Sequence, residues 1–199
     1  MPSEQRAPED YAVVAIASSA GGVQALISLL AEFDAGLPVP LLVVQHLDPR
    51  HRTVLPEVLA RRTELAIRLA EDQDRIEPGT VYLAPPNRHL VVKQSGTITL
   101  SDSEVVHFVR PSADLLFESV AETYGPRAIA CVLTGTGVDG ARGVTAIKAH
   151  GGHVLVEDPK TAQFTGMPTA AVKSGVADQV LRLEEIAAVL RGLVESKRQ

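Results

Sequence analysis

Three polar side chains stand at the ends of apolar runs, and their types can make a nucleophile, a base and an orienting acid. Ser19 closes the run Val13-Val14-Ala15-Ile16-Ala17-Ser18-Ser19, ahead of Ala20-Gly21-Gly22 and an amphipathic stretch from Val23 to Leu30. That order reads as strand, tight turn, helix. A serine there lies at the carboxyl edge of a sheet and at the positive end of a helix, where N–H groups lacking intrahelical partners can hold an oxyanion. His46 ends a second buried run, Leu41-Leu42-Val43-Val44-Gln45. Asp139 lies in Leu133-Thr134-Gly135-Thr136-Gly137-Val138-Asp139-Gly140, where a third strand runs into a Gly-rich turn.

Each of these residues also has a plainer role open to it. Ser is a preferred helix N-cap, and Gly-rich turns also bind phosphates or merely turn the chain. His46 can be a capping histidine, and Asp139 can cap the helix that follows it. Of the six histidines, His46 alone ends a buried apolar strand. His51, His89 and His107 sit in polar or edge contexts, and His150 and His153 flank Gly151-Gly152. The spacing His46-x-Asp48-x-x-His51 suggests a metal, but no helical His pair and no fourth ligand accompany it. Gly135-x-Gly137-x-x-Gly140 spells a dinucleotide-binding fingerprint in its weakest form, and no Walker lysine is present.

The elements that must position these residues follow from the hydrophobic pattern. The chain has 199 residues, of which 45% are apolar and only 4% aromatic, with no Trp. Its core must be built from Val, Leu, Ile and Ala, as in a sheet covered on both faces. Residues 1–10 read as a disordered lead-in, and 11–195 as one domain. Further strands are expected over 65–70, 80–84, 127–133, 153–156 and 176–181. Helices are expected over 53–62, 111–124, 140–150, 168–174 and 184–195. Residues 89–93 and 97–100 read as a hairpin around Gln94-Ser95-Gly96. The fold class is therefore α/β: a doubly wound, mainly parallel sheet with helices on both faces and a β-hairpin insertion. Sites in such sheets lie beyond the carboxyl ends of the strands.

A net charge of -5 and the lack of a basic stripe argue against nucleic acid as partner. No run of 18 apolar residues and no signal-peptide pattern is present, so no membrane insertion is expected. The single cysteine, Cys131, lies in an apolar run and reads as a buried inert thiol of a cytoplasmic protein.

Taken together the motifs resemble the catalytic domain of the chemotaxis protein-glutamate methylesterases, the CheB type. The resemblance runs from about Tyr11 to Leu193. It rests on Ala17-Ser18-Ser19-Ala20-Gly21-Gly22, Gln45-His46 and Val81-Tyr82-Leu83-Ala84-Pro85-Pro86-Asn87-Arg88-His89. Further along it rests on Arg110-Pro111-Ser112-Ala113-Asp114-Leu115-Leu116-Phe117, Leu133 to Gly140, and Gly166-Met167-Pro168. The resemblance implies Ser19 as nucleophile, in preference to Ser18, with His46 as base and Asp139 as orienting acid. It implies backbone oxyanion donors at Ala20 and Thr136, two positions where the family usually has Thr and Met. It implies as substrate a glutamate γ-methyl ester on the cytoplasmic helices of a methyl-accepting chemoreceptor, with methanol released and no metal or cofactor needed. The same acyl-serine would serve deamidation of a receptor glutamine. Arg50, Arg52 and Arg88 are expected to meet an acidic receptor surface. Regulated members of the family carry a receiver domain ahead of the esterase. The ten or so residues before Tyr11 cannot make one, so a stand-alone esterase domain or part of a longer chain is expected. Two alternatives stay open: a nucleotide-binding α/β module, and a catalytically impaired relative kept as an adaptor.

Overall fold

The computed structural model describes residues 10–195; the lead-in expected at the amino terminus lies almost wholly outside them. Six strands follow the expected runs in order: β1 (Val13–Ser18), β2 (Leu41–Gln45), β3 (Ala66–Leu69), β4 (Thr80–Leu83), β5 (His89–Val92) and β6 (Ile98–Ser101). Three more complete the chain: β7 (Ala128–Val132), β8 (His153–Glu157) and β9 (Gln179–Leu181). The helices are α1 (Gly22–Leu30), α2 (Leu55–Ala60), α3 (Ala113–Tyr124), α4 (Ala141–Ala149), α5 (Gly166–Lys173) and α6 (Leu183–Glu195).

Seven strands form one sheet in the order β3-β4-β2-β1-β7-β8-β9, and every pairing within it is parallel. The expected insertion is the antiparallel hairpin β5–β6. The chain leaves β1 toward β2 on one side and later fills the other side from β7 outward. The switch point therefore falls between β1 and β7, where an open α/β sheet leaves its crevice.

The apolar runs alternate between two cores, as the period of two in a strand requires. Val13, Ala15 and Ala17 of β1 face α3, α4 and α5 through Phe117, Val120, Ile147 and Met167. Val14 and Ile16 face α1 and α6 through Leu26, Leu29, Ile186 and Leu190. Each fully buried large side chain is worth roughly 1.5–3 kcal/mol. Two covered faces leave the strand ends as the exposed edge of the sheet, and that edge carries the candidate site.

Candidate active site

The two adjacent serines are separated by burial. Ser18 is fully buried, and its hydroxyl donates to Gln45 Oε1 at 2.6 Å. Ser19 is partly exposed, and among the described residues its hydroxyl makes no hydrogen bond. Gln45 ties the two strand ends together, since its Nε2 donates to Ser19 O at 2.9 Å and His46 O at 3.0 Å. The backbone adds His46 N to Ser18 O at 3.1 Å and Ser19 N to Thr134 O at 3.0 Å. Ser19 and His46 thus step off neighbouring strands, held by the same glutamine.

Helix α1 starts directly behind Ser19. Its N-cap is Gly21 with φ 75°, and no side chain caps it. Gly22 is required by close approach: a Cβ there would lie 2.7 Å from Ser18 Cβ. Gly135 is required for the same reason, because its Cβ would lie 2.9 Å from Ser19 Cβ. The loop after β7 can therefore lie against Ser19. Among the described residues, the N–H groups of Ala20 and Thr136 donate to no protein acceptor. Thr134 braces this loop: its N–H donates to Glu157 Oε2 at 2.7 Å, and its hydroxyl to Ala20 O at 3.0 Å. Burial pushes the Glu157 carboxyl up, with the Thr134 N–H pulling the other way.

His46 Nε2 lies 2.7 Å from Asp139 Oδ2. With an ionised carboxylate the proton sits on Nε2, and Nδ1 keeps a free lone pair. Asp139 is only 3% exposed. Its Oδ2 also accepts Ala113 N–H at 2.7 Å, and its Oδ1 accepts Asp114 N–H at 3.0 Å and the Ser112 hydroxyl at 2.9 Å. Burial alone would raise its pKa. The bonds from His46, Ala113 and Asp114 outweigh burial and hold it below the usual carboxylate value.

These partners correct the plainer reading of Asp139. It does cap a helix, but not the one that follows it in sequence. It caps α3, which begins 26 residues upstream, and α4 takes its cap from α3 in return. Asp114 Oδ1 accepts Gly140 N–H at 3.0 Å and Gly143 N–H at 2.7 Å. Asp114 in the first turn of α3 and Asp139 in the turn leading into α4 thus each serve the other helix's amino terminus. Asp114 Oδ2 faces His107 Nε2 at 3.3 Å. Burial pushes the Asp114 carboxyl up, and the nearby Asp139 charge adds to that.

His89 is likewise corrected. It is fully buried rather than at a polar edge, because β5 packs under α3. Its Nδ1 accepts Ser112 N–H at 3.0 Å, so Nε2 carries the proton toward Glu104 O at 2.9 Å. Gln45, His89, Ser112 and Asp114 were not singled out as site residues from sequence. All four lie inside or beside the motifs that carried the resemblance, and that placement is the signal that could have found them.

The arginines are placed differently from one another. Arg50 pairs with Asp48, at 2.7 Å from Oδ2, and lines a cavity of about 480 Å³ together with Arg52, Thr53 and Pro86. Arg88 donates to Asp102 Oδ1 at 2.9 Å and to Leu100 O at 3.0 Å, and so braces the hairpin. Among the described residues no group of three or more His, Cys, Asp or Glu can hold a metal ion. Cys131 is buried in β7, and burial pushes its thiol up. A larger cavity, of about 870 Å³, lies between α1 and Arg61–Glu64 and includes none of Ser19, His46 and Asp139.

With this geometry in view, similarity to known proteins is informative. Residues 14–190 match the family model for CheB methylesterase. A relative from Leptospira interrogans is 38% identical over 178 residues, covering 89% of this chain and 92% of its own length. Protein-glutamate methylesterase/protein-glutamine glutaminase 4 of Myxococcus xanthus is 42% identical over 89% of this chain, which spans 50% of that protein. The crystal structure of the Thermotoga maritima CheB methylesterase catalytic domain superposes with a TM-score of 0.87 at 36% identity, covering 94% of this chain and all of that one. A match of this extent, in both sequence and fold, shows that the chain belongs to the CheB methylesterase family and is an ester hydrolase.

Proposed function

We propose that residues 11–195 act as one catalytic domain that hydrolyses glutamate γ-methyl esters on the cytoplasmic helices of methyl-accepting chemoreceptors. The observation that carries this reading is the 2.7 Å bond between His46 and the buried Asp139, beside a serine whose hydroxyl is uncommitted. Ser19 Oγ attacks the ester carbonyl and passes its proton to His46 Nδ1. Asp139 holds the ring and stabilises the imidazolium. The negative charge that develops on the carbonyl oxygen is taken by the N–H groups of Ala20 and Thr136, each worth roughly 3 kcal/mol. His46 returns the proton to the departing methoxide, and methanol leaves. Water, deprotonated by His46, then attacks the acyl-serine and restores glutamate and Ser19.

The departures at Ala20 and Thr136 do not touch this chemistry, because a backbone donor works whatever side chain it carries. The catalytically impaired reading loses its motive on that ground. The nucleotide-binding reading is disfavoured because Asp139, in the glycine-rich turn, is already engaged by His46 and α3. A second activity, deamidation of receptor glutamine, is favoured by the paired name of the Myxococcus xanthus relative. It uses the same acyl-serine with ammonia as leaving group. A cytoplasmic location fits a substrate on the cytoplasmic part of a receptor. Among the described residues no helix is long and apolar enough to cross a membrane.

The direct test is methanol release from a methylated receptor fragment. Wild type is expected to release it, and Ser19→Ala to slow release by at least about 10⁴-fold with the melting temperature unchanged. Release that persists in Ser19→Ala contradicts the proposal.

A further inference from the structure

One residue near the site is explained neither by the fold nor by the chemistry. Phe108 is 98% exposed at the tip of a turn in which Val106 and Val109 exchange both backbone hydrogen bonds. His107 and Phe108 both adopt left-handed backbone, with φ 49° and 65°. Turns of this kind favour Asn-Gly, and a bulky aromatic is disfavoured there. His107 accounts for its place by reaching Asp114 Oδ2 at 3.3 Å. The Phe108 ring buries almost nothing.

The turn stands beside the reacting groups. His107 meets Asp114, the Asp114 N–H binds Asp139, and Asp139 holds His46. Other exposed apolar side chains lie on the same group of loops. Val138 precedes Asp139, Val23 lies in the first turn of α1 behind Ser19, and the carbonyl of Phe164 accepts the Gly135 N–H. A monomer gains nothing from a fully exposed ring on a strained turn, whereas an interface does.

We infer that Phe108 is a docking residue for the receptor helix that carries the ester. It packs against an apolar residue on the same helix as the modified glutamate. This inference rests on the receptor being the substrate. Only a small ester enters at Ser19, so affinity for a long helix must come from contacts around the site, and an amphipathic helix supplies apolar side chains at i, i+3 and i+4. The ester reaches Ser19 only when its helix lies across this edge, within reach of the turn.

The test compares methanol release from a methylated receptor fragment with hydrolysis of p-nitrophenyl acetate, which needs no docking. Phe108→Asn keeps a residue that tolerates left-handed backbone and removes the ring. It is expected to raise the receptor KM about tenfold with kcat unchanged, and to leave p-nitrophenyl acetate hydrolysis alone. Phe108→Tyr is expected to restore the KM. Val180→Asn, on the edge strand β9, should change neither. An unchanged receptor KM in Phe108→Asn overturns the inference, as does a parallel loss with both substrates. A change in the sedimentation of the free chain would assign the ring to self-association and also overturn it. If wild type hydrolyses p-nitrophenyl acetate but releases no methanol from receptor, the substrate reading falls first and takes this one with it.

Discussion

Two helix amino termini meet at the candidate site and are used in opposite ways. The first turn of α3 is filled: the Asp139 carboxylate accepts the N–H groups of Ala113 and Asp114 and the Ser112 hydroxyl. The start of α1 is open: no side chain caps it, and no acidic residue lies in its first turn. The physics is the same at both ends, since unpaired N–H groups and the helix dipole attract negative charge. One end holds a permanent anion that orients a histidine. In the proposed mechanism the other is left free for an anion that exists only during reaction. A filled terminus is worth stability, and an empty one is worth rate.

Exchanging these roles should break them. The largest effect is expected from Asp139→Ala, which removes the histidine's partner and the acceptor for three buried donors. Turnover should fall about 10³- to 10⁴-fold. Stability should fall by about 2–4 kcal/mol, measured by urea denaturation. If Asp139 served catalysis alone, the rate would drop with stability intact.

Next comes the reciprocal clamp. Asp114→Ala leaves the N–H groups of Gly140 and Gly143 without acceptors, at a cost of about 1–3 kcal/mol. It also loosens the turn that carries Asp139, so kcat should fall about tenfold while KM for p-nitrophenyl acetate holds. An unchanged kcat would confine Asp114 to the fold.

The filled terminus also sets an acid limit. The Asp139 pKa is depressed, so its contribution to stability is fully present above the unfolded-state value of about 4. That contribution is lost as pH falls through the lower folded value. Asp114 acts in the opposite sense, because its pKa is raised: stability is present at low pH and lost as pH rises through its folded value. Urea titrations from pH 2 to 6 should show a shallower acid limb in Asp139→Asn than in wild type, and a steeper one in Asp114→Asn.

The smallest effect sharpens the open end. Gln24→Glu adds a carboxylate to the exposed face of the first turn of α1. It should stabilise the chain by about 0.3–1 kcal/mol and slow turnover a few-fold, because it repels the forming oxyanion. A faster variant would show that this terminus does not face the reaction.

The open end was the more legible of the two in sequence. Ser19, Gly21 and Gly22 are neighbours, and a strand-turn-helix pattern over ten residues announces them. The strand ends at His46 and Asp139 were legible for the same reason, as was the parallel sheet that sets them on one edge. Which helix Asp139 caps was not legible, because its partners lie 25 to 27 residues away and local pattern favours the helix that follows. His89 was misread as an edge residue because burial of a short hairpin depends on what packs over it. That Arg88 also braces the hairpin was not legible for a similar reason, its acceptors being Leu100 and Asp102. Choosing between Ser18 and Ser19 needed a resemblance in sequence. In the structure the Ser18 hydroxyl is engaged by the Gln45 side chain, which favours the proposal of Ser19.

The central claim is that Ser19 is the nucleophile activated by His46 at the open terminus of α1. Labelling with a fluorophosphonate, followed by peptide mapping, tests it most directly. Wild type is expected to take one label, on Ser19, and His46→Ala to lose it. A label on Ser18 or elsewhere, or labelling of Ser19 that is indifferent to His46, would contradict it.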